Sequence, residues 1–219
     1  MKIDELSYWD TRYKKGGNSG AGSIGQYRNQ KWDIIESFVG DVNDVIDVGC
    51  GDLSFWEGKD CVSYLGIDRS PKIININRIA RPHWKFINAD AAETQSIQAR
   101  IVFCFDILFH IMNDGIYCDI LSNLTKYSNE WIFIFTWKEN PFISWKLRSR
   151  IFYYRLIEGK IFQAVKMLMG STTDFHYQTY RNLIDSISIF QIAGFELQAE
   201  IGGFPDPWSA MFVFKKKIP

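Results

Sequence analysis

The sequence predicts an α/β fold, a three-layer αβα arrangement in which helices cover both faces of a mostly parallel sheet. Short apolar runs of strand length alternate with helix-length amphipathic segments, as expected when crossover helices join parallel strands. The chain then ends in two strand-like runs separated by the turn-rich FPDP, which predicts an antiparallel hairpin at the edge of the sheet. Five strands and this hairpin give seven expected strands in a single domain, 1–219.

The elements follow one another in the order that such a fold requires. Between the strands, helices are predicted over 26–39, over 70–80 after a Ser-Pro start, over 114–127, where Ile116, Ile120, Leu121 and Leu124 share one face, and over 180–193. The strand candidates are VNDVIDVG (42–49), SYLGID (63–68), WKFINAD (84–90), RIVFCFD (100–106), WIFIFTW (131–137), FELQAEIGG (195–203) and SAMFVFKKK (209–217).

Composition narrows the function classes. The 25 basic residues balance 25 acidic ones, so the chain lacks the electrostatic footprint of a nucleic-acid-binding protein. Cys50, Cys61, Cys104 and Cys118 form no C-x-x-C pair, which favours a reducing compartment, and no metal site is predicted. The beginning of the chain lacks a long apolar stretch. We therefore expect a cytoplasmic protein, with at most peripheral membrane contact.

Four of the five predicted parallel strands finish at an aspartate: Asp47, Asp68, Asp90 and Asp106. The fifth ends at Trp137. The carboxyl ends of parallel strands meet at one edge of the sheet, and ligands bind at that edge in open α/β folds. These acids therefore predict a binding site, although some of them could instead cap the following helices.

The stretch VIDVGCGD contains a glycine turn, Gly49 and Gly51, directly before Asp52. A dinucleotide-binding loop needs a third glycine at position 54, which is serine here, and Asp52 would repel a pyrophosphate. A cofactor with a cationic centre and no phosphate fits better, and S-adenosylmethionine is such a cofactor, with Asp47 and Asp52 complementing its charge. An NAD-dependent oxidoreductase and a non-catalytic S-adenosylmethionine-binding protein remain alternatives.

These motifs resemble those of the class I S-adenosylmethionine-dependent methyltransferases, strongly over 43–137 and loosely over 180–216. The resemblance implies a Rossmann-like fold and a methyl transfer, and it matches four ordered strand ends. Leu53 stands where the family often has a third glycine, so the turn into the next helix is expected to differ. The implied cofactor-binding residues are Trp9, Tyr13, Asp47, Gly49, Cys50, Gly51, Asp68, Arg69, Asp90, Ala91, Phe105 and Asp106.

The same resemblance implies a role for each motif. The glycine turn would approach the methionine part of the cofactor, and Asp68 would accept hydrogen bonds from both ribose hydroxyls. Asp90 and Ala91 would lie beside the adenine. In the fourth motif, CFDILFHI, Phe105 and Asp106 would lie near the cofactor.

The N-terminal segment 4–25 combines an aromatic-basic helix with a glycine-serine loop. Residues 16–25 contain five glycines, which would let the loop close over a ligand, although a plain flexible linker is the alternative. The string WDTRYKKGGNSGAGS resembles the N-terminal signature of a methyltransferase group linked to surface-glycan assembly. That resemblance implies that Trp9, Arg12 and Tyr13 flank the cofactor.

Two histidines are candidate catalytic bases. If the acceptor is a hydroxyl, its proton must leave near the moment of attack, and imidazole is suited to accept it. His110 follows the fourth strand, where the family resemblance makes it face the methyl-transfer region, and His176 precedes the last helix. A buried or capping role for His110 and a surface position for His176 are the alternatives. His83 is expected to be structural.

The long connection over about 138–178 exceeds what the basic fold requires. Residues 138–170 contain seven basic and two acidic residues around an amphipathic helical pattern. This helical insert could be a lid, a dimer contact, a helix packed on the domain, or a peripheral contact through 143–168 with an anionic membrane or a lipid-linked substrate.

The expected acceptor is a sugar or another small hydroxylated metabolite. DILF (106–109) replaces the Asn/Asp-Pro-Pro-aromatic element of nucleic-acid amino-methyltransferases, which argues strongly against that class.

Overall fold

The structure is a computed structural model, and it describes residues 9, 11, 13, 19–141, 149, 152, 153, 156, 157, 161, 178–204 and 206–217. The strands are β1 (Asp44–Val48), β2 (Ser63–Asp68), β3 (Lys85–Asn88), β4 (Ala99–Phe105), β5 (Ser128–Trp137), β6 (Phe195–Gly202) and β7 (Ser209–Lys216). The α-helices are α1 (Gly25–Val39), α2 (Pro71–Ala80), α3 (Asp114–Tyr127) and α4 (Ile187–Ile192). Short 3₁₀ helices span Ala21–Ser23, Ser54–Trp56, Leu108–His110 and Leu183–Ser186.

One seven-stranded sheet has the order β3-β2-β1-β4-β5-β7-β6. The first five strands are parallel, and β7 inserts antiparallel between β5 and β6. The predicted α/β fold, its seven strands and its C-terminal hairpin are confirmed. The order of the strands reverses between β1 and β4, and in open α/β sheets a crevice forms where the order reverses.

Both faces of the sheet are covered by helices. On one face, α3 packs Ile120, Leu121 and Leu124 against the sheet, together with Phe190 of α4. On the other face, α1 and α2 cover a core rich in aromatic rings, with Trp56 at its centre. Ile116 does not belong to the buried stripe of α3 as predicted, since it is 41% exposed. It lies in the first turn, and the buried stripe begins one residue later.

The helix predicted over 180–193 is shorter in the structure. A 3₁₀ turn starts after Asn182, whose side chain accepts the Ile184 N–H, and α4 spans only six residues. The residues before it are extended because their polar groups bind the loop after β4. Thr179 donates its N–H to Phe109 O, and Arg181 donates to the carbonyls of Ile111 and Met112. Tertiary hydrogen bonds therefore replace the helical ones in this segment.

Among the described residues, no helix combines the length and apolar character needed to cross a membrane.

Asp206 makes the stability of the hairpin depend on pH. Its carboxylate accepts the N–H groups of Trp208 and Ser209 at 3.1 and 2.8 Å, and burial, together with the nearby Asp106 charge, raises its pKa from 3.8 to about 7. The folded state therefore holds the proton more tightly than the unfolded state. The resulting contribution of Asp206 to the free energy of unfolding is complete below the unfolded pKa of 3.8, and it is lost as pH rises through the folded pKa of about 7.

We expect the stability advantage of the wild type over Asp206→Asn to grow as pH falls from 8 to 4.5. The asparagine stays neutral throughout, so the difference isolates this one carboxyl group. The growth is about 1.4 kcal/mol for each pH unit between the folded pKa of about 7 and the lowest pH of the experiment. Urea unfolding at pH 8, 6 and 4.5 measures it, and a difference that does not change with pH would contradict the assignment.

Candidate functional site

A cavity opens at the carboxyl edge of the sheet, where β1, β2 and β4 end. The twelve residues that the resemblance to the methyltransferases implies to bind the cofactor line it, and His110 lines it as well. The lining also includes residues that the sequence did not indicate: Ser19, Ser23, Phe55, Ile67, Ala89, Ile107 and Ile111. The sequence prediction that the strand ends converge on one site therefore agrees with the geometry.

The glycine turn forms one wall of the cavity. Gly49 and Gly51 have φ values of 74° and 54°, in the left-handed region that favours glycine. The N–H groups of Gly49 and Cys50 both donate to Ile67 O, which holds the turn against β2. A Cβ on Gly49 would lie 2.2 Å from Ile107 Cδ1, so both the backbone conformation and the available space require glycine there.

The turn continues differently from a nucleotide-binding loop. Leu53 adopts a φ of 61°, and only the short 3₁₀ helix Ser54–Trp56 follows it before β2. The expectation that the turn after Leu53 departs from the glycine pattern thus agrees with the backbone. A pyrophosphate site uses the N-terminus of a full helix, which this turn does not provide.

Asp68 is the last residue of β2 and connects two loops at the cavity. Its carboxylate accepts the Gly51 N–H at 3.1 Å and the Ser70 N–H at 2.9 Å. Ser70 in turn caps α2 through its side chain, which accepts the Ile73 N–H. Asp68 is therefore held rigidly at the rim by backbone donors.

The loop after β3 forms the opposite side of the cavity. Asp90 accepts the Ala92 N–H at 3.0 Å, and its other oxygen lies 3.7 Å from the Arg69 guanidinium. The buried Asn123 amide donates to the carbonyls of Ala91 and Ala92, which fixes this loop on α3. Asp90 and Ala91 thus have a defined position across from the glycine turn.

Asp47 differs from the prediction that it ends the first strand. It lies inside β1, one residue before Val48, and its side chain is buried. Trp56 Nε1 and Tyr64 O–H donate to its Oδ2 at 2.8 and 3.0 Å. Burial raises the pKa of Asp47 to about 6, against the lowering effect of these two donors. Much of its role is therefore to order the aromatic core beneath the cavity.

Asp52 also differs from its prediction, since it is not among the residues that line the cavity. Its carboxylate accepts the N–H and O–H of Ser19 at 3.0 and 2.7 Å, and the Ser54 N–H at 3.0 Å. The acid therefore attaches the N-terminal glycine-serine loop to the glycine turn. The interpretation of Asp52 as a counter-charge for the cofactor stays a prediction, since its carboxylate does not line the cavity and accepts these three donors.

Lys31 is a site residue that the sequence interpretation missed. Its side chain is fully buried, and its Nζ lies 2.7 Å from Asp106 Oδ2 and 3.9 Å from the centre of the Phe135 ring. Asp106 therefore makes an ion pair and does not cap a helix. Helical spacing is the signal that could have found Lys31, since Ile35, four residues later, is on the same buried face of α1.

The aromatic side of the cavity brings His110 together with the N-terminal segment. Trp9 packs edge-on against the His110 imidazole with 5.3 Å between ring centres, and Tyr13 lies 6.0 Å from Trp9. Burial, with the nearby Asp68 charge, raises the pKa of the Tyr13 phenol well above its usual value. The Tyr13 oxygen is 3.4 Å from Ser19 Oγ. These rings cover the end of the cavity where His110 lies.

Several predicted features lie outside the described residues. His176 and Arg12 are among them, and so is most of the 138–178 insert, including nearly all of 143–168. In the part of the chain that the structure describes, no group of three histidine, cysteine, aspartate or glutamate side chains could hold a metal ion.

No protein-family model matches the sequence, and no curated protein matches it. Solved structures do. Magnesium protoporphyrin IX methyltransferase from Synechocystis PCC 6803, with bound S-adenosylhomocysteine (SAH), has a TM-score of 0.64 and 14% identity, covering 97% of this chain and 98% of its own. The N-methyltransferase NodS from Bradyrhizobium japonicum WM9, in complex with SAH, has a TM-score of 0.66 and 11% identity, covering 98% and 100%.

A third structure, a TehB-like SAM-dependent methyltransferase from Corynebacterium glutamicum, has a TM-score of 0.56 and 12% identity, covering 96% of this chain and 95% of its own. The chain has the fold of these methyltransferases. The Rossmann-like α/β architecture predicted from the sequence is thereby confirmed.

Proposed function

We propose that this protein is an S-adenosylmethionine-dependent methyltransferase. The observation that supports it most is the convergence of the glycine turn, Asp68, Asp90 and the Trp9–His110 pair on one cavity where the strand order reverses. The similarity of the fold to methyltransferases with bound SAH supports the same cofactor. Asp68 would accept the ribose hydroxyls, Ala91 and Asp90 would contact the adenine, and Gly49, Cys50 and Gly51 would face the methionine part.

The shape of the turn favours this cofactor over a dinucleotide. A pyrophosphate needs donors at a helix N-terminus, whereas Leu53 leads into a single 3₁₀ turn. Asp68 does not decide between the two cofactors, because a carboxylate at the end of the second strand binds the ribose hydroxyls of NAD as well. The evidence against a dinucleotide is therefore the shape of the turn.

The protein itself would have to supply little chemical activation for the methyl transfer. The methyl group of the cofactor is already activated, so the chain must align an acceptor and exclude water. Trp9 and Tyr13 would exclude water at one end of the cavity. His110 would accept the proton of an acceptor hydroxyl, and His176 is a second candidate for this base. Arg69, Phe105 and Asp106 would contact the methionine and adenine parts of the cofactor.

We expect the purified protein to bind SAH and not NADH in isothermal titration calorimetry. The same ligand should stabilise the fold by mass action, by about 2.7 kcal/mol at a free concentration one hundred times its Kd. Thermal unfolding with each ligand provides the independent measurement. Binding of NADH without binding of SAH would reject the proposal in favour of an oxidoreductase, and SAH binding without any methyl transfer would favour a non-catalytic binding protein.

We infer that the acceptor is a hydroxyl of a sugar or of another small metabolite. The inference depends on the N-terminal signature and on the two histidines suited to take a proton. The fold alone leaves the acceptor atom open, since NodS is an N-methyltransferase. Transfer of a labelled methyl group to free monosaccharides, nucleotide-linked sugars and lipid-linked sugars tests it, with amino sugars reporting N-methylation.

The helical insert over about 138–178, with its excess of basic residues, supports an acceptor or a surface that carries phosphate. We expect it to contact phosphate on an acceptor or on an anionic membrane surface. Sedimentation with anionic vesicles at low salt, compared with neutral vesicles, measures the membrane contact. An equal amount of protein bound to both kinds of vesicle would eliminate it.

A further inference from the structure

The ion pair between Lys31 and Asp106 is unusual because one partner is enclosed and the other is at the cavity. The Lys31 side chain is 0% exposed, while that of Asp106 is 26% exposed and lines the cavity. An ammonium is costly to bury, and a well-packed apolar side chain in its place is often no less stable. Stability of the fold alone therefore gives little reason for a charge at this position of α1.

The surroundings of Lys31 direct its charge toward Asp106. The rings of Phe135 and Phe105 lie 3.9 and 5.4 Å from its Nζ. Asp47 is close enough for the Lys31 charge to lower its pKa, but the hydrogen bonds of its Oδ2 go to Trp56 and Tyr64. Asp106 is thus the acid to which Lys31 donates directly, at 2.7 Å.

Asp106 has a conformation that needs support. Its φ is 60°, which is uncommon for a residue with a side chain, and its N–H donates to Phe135 O at 3.0 Å. The carboxylate also lies in the electrostatic neighbourhood of Asp206. The Lys31 ammonium offsets this like-charge repulsion and holds the carboxylate in one place.

Residues 19–24, which we call the glycine-serine strap, pack on this ion pair. A Cβ on Gly22 would lie 2.7 Å from Asp106 Oδ2 and 3.3 Å from Lys31 Nζ, so the strap backbone rests directly on both charged groups. At its other end the strap is bonded to Asp52 through Ser19. Ser19 and Ser23 of the strap line the cavity.

We propose that Lys31 is a positioning residue, which acts through Asp106 to seat the glycine-serine strap against the cavity. This rests on the proposed function, because the ligand that the strap helps to enclose is taken to be the methyl donor. Without the ammonium, the Asp106 carboxylate would lose its fixed position, and Gly22 would lose the surface on which it packs.

A double-mutant cycle tests whether Lys31 acts through Asp106. We expect Lys31→Met and Asp106→Asn each to weaken SAH binding roughly tenfold, and the double variant to be no weaker than about tenfold. Effects that multiply to about a hundredfold would show that the two residues act independently. An unchanged Kd in Lys31→Met would equally overturn the proposal.

Hydrogen exchange of the protein without ligand separates positioning from a merely structural role. In Lys31→Met, amides of the glycine-serine strap should exchange faster, while those of β4 and β5 keep their wild-type protection. Equal acceleration in the strap and in both strands would refute the proposal. Because this readout needs no ligand, it stays decisive even if the wild type fails to bind SAH, a result that would reject only the proposed function.

A second variant covers the case in which Lys31→Met does not fold. Gly22→Ala keeps both charged side chains and introduces a methyl group at the contact, and Gly22 has no left-handed φ, so the effect is steric. We expect it to weaken SAH binding and to accelerate exchange in the strap. Gly115→Ala, at an ordinary φ in the first turn of α3, is the matched control. Equal behaviour of the two variants would reject the contact.

Discussion

Replacing Asp68 with alanine is expected to raise the Kd for SAH by about a hundredfold or more. Each hydrogen bond from a ribose hydroxyl to a carboxylate contributes about 1.5–3 kcal/mol, and two of them correspond to this loss. The carboxylate also accepts the N–H groups of Gly51 and Ser70, so the turn and the start of α2 lose a shared anchor. Isothermal titration calorimetry measures the change directly.

Two further variants separate these effects. Asp68→Asn keeps an acceptor oxygen of the same shape, so it should retain more of the fold than alanine while still weakening the ligand. Asp119→Asn, on the exposed face of α3, should bind SAH like the wild type. An Asp68→Ala protein that is folded and binds SAH with wild-type affinity would contradict the proposed ribose contact.

Replacing His110 with phenylalanine should lower methyl transfer by about 10²- to 10⁴-fold, which is the usual contribution of a positioned base. Phenylalanine keeps an aromatic ring beside Trp9, whose edge-on contact with His110 spans 5.3 Å, so the cavity should stay closed. The Kd for SAH should therefore change by less than about threefold, or about 0.7 kcal/mol. Single-turnover transfer to an acceptor found with the labelled-methyl screen measures the chemical step.

His83, a histidine on the surface, provides the control for the His110 variant. His83 lies 3.3 Å from Asp60 on an exposed loop away from the cavity, and His83→Phe should leave transfer unchanged. If His110→Phe transfers at the wild-type rate, His110 is not the base. Loss of transfer in His176→Phe alone would then move the role to that residue.

Regular structure follows the sequence closely in the parallel part of the fold. The strand at 63–68 and the helix at 114–127 have the predicted bounds. Strands buried on both faces read as continuous apolar runs, which makes them easy to recognise. The segment 180–193 departs from its prediction because Thr179 and Arg181 bond to the loop after β4, and such distant partners leave no periodic signal.

In the candidate site, too, the positions of residues could be predicted better than their side-chain contacts. That Asp68, Asp90 and the glycine turn meet in one cavity could be predicted, since parallel strands bring their carboxyl ends to one edge. The hydrogen-bond and ion-pair partners of each side chain could not be predicted. Asp52 binds Ser19, 33 positions away, and Lys31 binds Asp106, 75 positions away.

The amino-acid sequence by itself determined the order of strands and helices, the glycine turn and the acids at the strand ends. These properties depend on local backbone preference and on the length and spacing of apolar runs, both of which can be recognised in a single sequence. Only the tertiary structure decided that Asp47 orders a buried core, that Asp52 attaches a loop and that a buried lysine supports Asp106. The reason is physical: a charge acquires its role from the groups that burial places beside it, and those groups are distant along the chain.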